Sequence, residues 1–139
     1  MPEFKTTLAA GADLAVPGDS SHTVKVPHGR SAVCLEFRMA LPEGYEAQIR
    51  PRSGCSLKGM TDAMGHTIQD ADVLIGTIDA DYRGKVGVII LNRGDDFCLC
   101  GGTRIAQMVV AKVEHPDYEE SPDLDDTERG EGGFGSTGQ

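Results

Sequence analysis

Residues Gly84–Glu114 read GKVGVIILNRGDDFCLCGGTRIAQMVVAKVE, and their pattern decides the fold class. Val86, Val88 and Ile90 recur at every second position, so they line one face of a half-buried strand. Asn92–Asp96 (NRGDD) is a cluster of turn residues. Beyond it, Ile105, Met108, Val109 and Val110 make the last strand nearly continuous in apolar character. The same pattern extends upstream. HTVKVPHGR (His22–Arg30) alternates Val24 and Val26 against polar neighbours. SAVCLEFRMALPEGYEAQIRPRSG (Ser31–Gly54) offers two strands around a turn at Pro42–Glu43–Gly44. A helical turn is expected near Thr61. Short strands at this spacing, with turn signals between them, predict an all-β sandwich or jelly roll.

A chain of 139 residues is one domain with its own core. Its formal net charge of -9 excludes unspecific attraction to nucleic acid or to an anionic membrane surface. No apolar run approaches the ~18 residues of a spanning helix, and no secretory signal opens the chain. A soluble, cytoplasmic protein is expected. Cys34, Cys55, Cys98 and Cys100 form no CxxC pair and have no His at zinc spacing, so they read as buried, reduced thiols. The four histidines are scattered and receive no role.

The composition divides the chain into a β body (1–113), an acidic, Pro-containing linker (114–128) and a Gly-rich arm (129–139). RGEGGFGSTGQ fits a plain spacer except at two positions. Arg129 can grip a phosphate with its fork of donors, and the Phe134 ring can lie on a nucleobase. From Gly130 the arm matches the glycine spacing of a phosphate loop, but Ser136 stands where the lysine belongs and no helix follows. RPRSG (Arg50–Gly54) is a solvated turn or an anion cradle, with Arg52, Ser53 and the Gly54 amide as donors. GTIDADYRG (Gly76–Gly84) is a charged hairpin or a site in which Asp79 orients and deprotonates a water while Tyr82 packs against a sugar.

Together AGADL (10–14), PRSGCSLKG (51–59), GTIDADYRGKVGVIILN (76–92), RIAQMVV (104–110) and RGEGGFGSTG (129–138) resemble, in order, the five motifs of the trimeric dUTP pyrophosphatases. The resemblance implies a jelly-roll subunit in a homotrimer. It implies hydrolysis of dUTP to dUMP and pyrophosphate with Mg²⁺, which limits uracil in DNA and supplies dUMP for thymidylate synthesis. Each active site would be shared between subunits. Asp79 would position the attacking water, and Gln107 would hold that water or the α-phosphate. The backbone of Gly76, Thr77 and Ile78 would read uracil, and Tyr82 would lie beneath deoxyribose and reject a 2′-hydroxyl. Arg52, Ser53 and Gly54 would contact phosphates, and Asp13 would support the metal through its waters. Arg129 would clamp the terminal phosphates, Phe134 would stack on uracil, and Gly135, Ser136 and Thr137 would complete the cage. Three departures stand out. The segment 60–75 is longer than in most relatives, Val73 aligns where bacterial members often carry Asn, and Thr103 replaces a common acidic residue before Arg104. The longer segment motivates a rival reading as a dUTP-responsive regulator with a protein partner at 60–75; a dCTP deaminase is the other rival.

Overall fold

The computed structural model describes residues 1–133. Its strands are β1 (Ala12–Ala15), β2 (Thr23–Val26), β3 (Gly29–Cys34), β4 (Tyr45–Pro51), β5 (Met60–Thr61), β6 (Thr67–Ile68), β7 (Ala71–Val73), β8 (Gly76–Ile78), β9 (Gly87–Asn92), β10 (Phe97–Cys100) and β11 (Arg104–Lys112), with one short helix, α1 (Ser53–Lys58). Early strands pair with late ones in nested order: β1 with β11, β2 with β10, β3 with β9 and β4 with β8, all antiparallel. That nesting is a long hairpin rolled upon itself, which is a jelly roll. β4 also pairs with β11 and β7 with β9, giving a sheet in the order β1-β11-β4-β8 and another in the order β3-β9-β7.

The inward faces carry the alternation seen in the sequence. Val88, Ile90, Leu99 and Ile105 are fully buried, and Val86 is nearly so. Burying a side chain of this size contributes about 1.5–3 kcal/mol. Exposed ion pairs such as Lys25–Asp96 (2.7 Å) contribute about 1 kcal/mol at most, so packing holds the roll together.

Two expectations, on the thiols and on the helix, are corrected. The strands expected around the turn at Pro42–Glu43–Gly44 are present as β3 and β4, but they do not pair with each other: β3 joins the sheet of β9 while β4 joins that of β11. NRGDD likewise carries the chain from one sheet to another. Its geometry is fixed by the buried Asn92 amide, which donates to Asp95 O (2.9 Å) and accepts from Gly94 N–H (3.0 Å). The thiols are free but not buried. Cys34 and Cys98 are exposed and Cys55 and Cys100 half-buried: Val33 takes the inward position at the end of β3, Phe97 and Leu99 take those of β10, and Cys55 lies on α1, which buries no residue. The helix lies at Ser53–Lys58 rather than near Thr61, which pairs with Thr67 in the β5–β6 hairpin.

Asp62 organises that hairpin. Burial alone would raise its pKa, but the N–H groups of His66 and Met64 and the His66 ring outweigh it, holding the carboxyl below its ordinary value. Beyond Lys112 the described chain has no helix or strand. No helix among the described residues is long and apolar enough to cross a membrane.

Candidate active site

One half of the site arises where the chain passes from β7 to β8 and changes partners. Val73 is still opposite Ile90, and Leu74 N–H donates to Ile89 O (2.9 Å). From Gly76 the chain crosses to β4, with Gly76 opposite Ile49 and Ile78 opposite Ala47. The arms of the segment Gly76–Gly87 therefore splay, leaving a cavity of about 180 Å³ between β8 and Lys85–Ile89. β8 is the edge of its sheet. The backbone groups on its unpaired side are available to a ligand that offers hydrogen bonds along its rim.

Tyr82 closes one end. Its N–H donates to Asp79 O (3.1 Å) and its hydroxyl to Lys85 O (3.0 Å). The ring folds back over Gly84, where a Cβ would stand 2.2 Å from the Tyr82 oxygen and 2.4 Å from Cζ. Only glycine permits this approach. Arg83 braces the turn by donating to Ala80 O (2.7 Å) and Tyr82 O (2.9 Å). Asp79 follows the last residue of β8 and is exposed at the cavity rim. Asp81 lies within the turn, so the two carboxylates are not aligned on one strand face.

The other half lies across β1, β11 and the start of α1. Asp13 Oδ1 accepts from Arg52 Nε (2.9 Å) and its Oδ2 from Arg104 Nη1 (2.9 Å). Arg52 Nη1 also donates to Arg104 O (3.3 Å). One carboxylate thus holds two guanidiniums side by side and leaves net positive charge facing outward. Arg52 precedes Ser53 and Gly54, the first residues of α1. Gln107, opposite Asp13 in register, donates to Pro51 O (2.9 Å) and ties β11 to the start of this cradle. Its amide oxygen sits over Gly11, where a Cβ would approach to 2.6 Å. Arg104 has no acidic neighbour in sequence, since Thr103 precedes it, and takes Asp13 as its partner.

The two halves do not converge within one chain. Ile78 is level with Ala47, whereas Arg52 lies five residues further along the chain, just past the end of β4. At about 3.3 Å per residue that is roughly 16 Å, while a hydrogen-bonded water reaches only ~3 Å from its carboxylate. Arg129 donates to Gly132 O (2.8 Å) within its own turn. Phe134, Gly135, Ser136 and Thr137 lie outside the described residues. Among the described residues no three His, Cys, Asp or Glu side chains are grouped to cage a metal ion. Sequence reasoning missed Gly11, Gly84, Arg83 and the role of Arg104. The glycines carried no signal because their partners are fixed only in the folded chain.

The chain is thus a jelly roll with a backbone-edged cavity and a separate twin-arginine cradle. The chain belongs to the dUTPase family, whose profile matches residues 1–138. A deoxyuridine 5'-triphosphate nucleotidohydrolase of Roseobacter denitrificans is 48% identical over 139 residues, covering 99% of this chain and 86% of the relative. That of Beijerinckia indica is also 48% identical, over 99% of this chain and 82% of its own. Among solved structures, the Staphylococcus bacteriophage 80alpha dUTPase with dUpNHpp superposes with a TM-score of 0.81 at 25% identity, covering all of this chain and 92% of that one.

Proposed function

We infer that this chain hydrolyses dUTP to dUMP and pyrophosphate, working as a trimer in which neighbouring subunits complete each active site. The observation that carries the reading is the free edge of β8 facing a cavity of about 180 Å³, with Asp79 at its rim and Tyr82 as its floor. A strand edge offers N–H and C=O groups at fixed spacing, as the rim of uracil requires. A base with the wrong donor pattern would leave a buried group unpaired, which is a strong basis for rejection.

The base and sugar enter the cavity, the sugar resting on Tyr82. Asp79 accepts a proton from a water as its oxygen attacks the α-phosphorus; the bond to the bridging oxygen breaks and pyrophosphate leaves. Arg52, Ser53 and Gly54 of a neighbouring subunit hold the phosphates, and Gln107 keeps that cradle in register. The arm from Arg129, with Phe134, Gly135, Ser136 and Thr137, closes over the nucleotide. Phosphoryl chemistry of this kind depends on positioning and charge neutralisation more than on covalent help.

Mg²⁺ fits through water rather than by direct ligation. Each Asp13 oxygen accepts one guanidinium and retains capacity for a water, and Mg²⁺ commonly sits on substrate phosphates with its own waters. When bound, the ion offsets charge on the triphosphate, which an acidic protein would otherwise repel. The segment 60–75 does not act as one loop, because β7 is integral to the sheet of β9. A larger cavity of about 640 Å³ lies beside the β5–β6 hairpin, but it contains none of the residues assigned here.

The test is to incubate the protein and Mg²⁺ with dUTP, UTP, dCTP or dTTP and assay pyrophosphate and ammonia. Pyrophosphate should appear from dUTP, and chelating the metal should stop it. Equal release from dCTP or dTTP would contradict the reading, and ammonia from dCTP would mark a deaminase instead.

A further inference from the structure

Glu36 is the one non-glycine among the described residues with a left-handed backbone, at φ 60°. A side chain held there costs free energy, and such positions cluster where function over-determines them. The cause is a bulge at the end of β3. Leu35 N–H donates to Val86 O (2.9 Å), but Val86 N–H donates to Phe37 O (2.9 Å), so Leu35–Phe37 spans more chain than its partner. Leu35 and Val86 face the core, whereas Glu36 is exposed. Bulges beside sites re-aim a side chain. This one aims the Glu36 carboxylate at Lys85, with Nζ to Oε2 at 2.5 Å.

Lys85 belongs to the wall of the splayed cavity, and its carbonyl accepts the Tyr82 hydroxyl. The bulge, the Lys85 peptide and the Tyr82 ring are therefore linked in series. We propose that Glu36 is a positioning residue for sugar discrimination: by anchoring Lys85 it fixes the carbonyl that holds the Tyr82 hydroxyl, and so sets the clearance that admits a deoxyribose and refuses a 2′-hydroxyl. The proposal rests on the reading of Tyr82 as the floor beneath the sugar.

The latch is closed over the neutral range. The Lys85 hydrogen bond, with a contribution from the Cys34 thiol, holds the Glu36 carboxyl below its usual range. The Glu36 hydrogen bond raises Lys85 above the usual lysine range, opposed by burial and by the nearby Arg38. A depressed carboxylate and a raised ammonium both remain charged between those limits. The latch opens only on strong acidification, as Glu36 protonates, or above the lysine range.

The experiment compares kcat/KM for UTP and dUTP in the full-length protein and its variants. Glu36→Gln should raise the UTP-to-dUTP ratio about fivefold, the size an exposed ion pair supports. Glu36→Gly should raise it similarly with no loss of Tm, because glycine relaxes the left-handed backbone; this variant keeps the test valid should Glu36→Gln fold poorly. Exchanging the charges, Glu36→Lys with Lys85→Glu, should return the ratio to within about twofold of the parent, as coupled neighbours allow. A parent that discriminates, with folded Glu36→Gln and Glu36→Gly that discriminate equally well, would overturn the proposal. A parent that takes UTP as readily as dUTP would instead overturn the reading of Tyr82 on which it rests.

Discussion

Replacing Asp79 by Asn is expected to lower kcat for dUTP by roughly a thousandfold or more, the scale of losing a general base aimed at the nucleophile. Asparagine keeps the shape and can still bond to a water, but it cannot take the proton. Asp79 is exposed and lies beyond the last residue of β8, so the fold should tolerate the exchange. Surface substitutions of this kind usually stay within about 0.5 kcal/mol. Affinity should also survive, because the β8 edge and the Tyr82 floor do not depend on the carboxylate. Removing a negative charge beside a polyanion can only favour its binding. Pyrophosphate release measures the first effect, and calorimetric titration with a non-hydrolysable dUTP analogue the second. A variant that turns over normally would show that the water is oriented by another group.

Removing residues 129–139 should reduce kcat/KM about a hundredfold or more, through lost phosphate contacts and lost exclusion of water. Assembly should be unaffected. Among the described residues every strand lies at or before Lys112, and residues 114–131 are exposed and contribute nothing to the core. Light scattering on the truncated chain separates the outcomes. An intact assembly with collapsed turnover supports an arm that closes over substrate. Full turnover would remove the arm from the mechanism, and loss of assembly would make it a structural strap.

The parts of the fold legible in the sequence are those with local causes. Val86, Val88 and Ile90 declared their strand because a period of two puts them all in the core. Pairing partners were not legible, since NRGDD carries the same turn chemistry whether it closes a hairpin or passes between sheets. Helix α1 has no buried residue and hence no apolar stripe, which left its position to guesswork. The site shows the same division. The residues around Asp79 and Tyr82 stand together in one motif. The cradle unites Asp13 with Arg52 and Arg104, which lie 39 and 91 residues away. Glu36 gave no signal at all, because a left-handed glutamate looks like any other in a string of letters.

The central claim is that Asp79 of one subunit serves phosphates gripped by Arg52 of another. Subunit mixing tests it most directly. Asp79→Asn and Arg52→Gln chains, each inactive alone, are unfolded, combined in equal amounts and refolded together, and dUTP hydrolysis is assayed. In a symmetric ring with shared sites, random assembly pairs an intact Asp79 with an intact Arg52 at about one site in four, so roughly a quarter of the parent activity should return. A mixed assembly that stays inactive would mean that both residues must come from the same chain, and the shared site would be wrong.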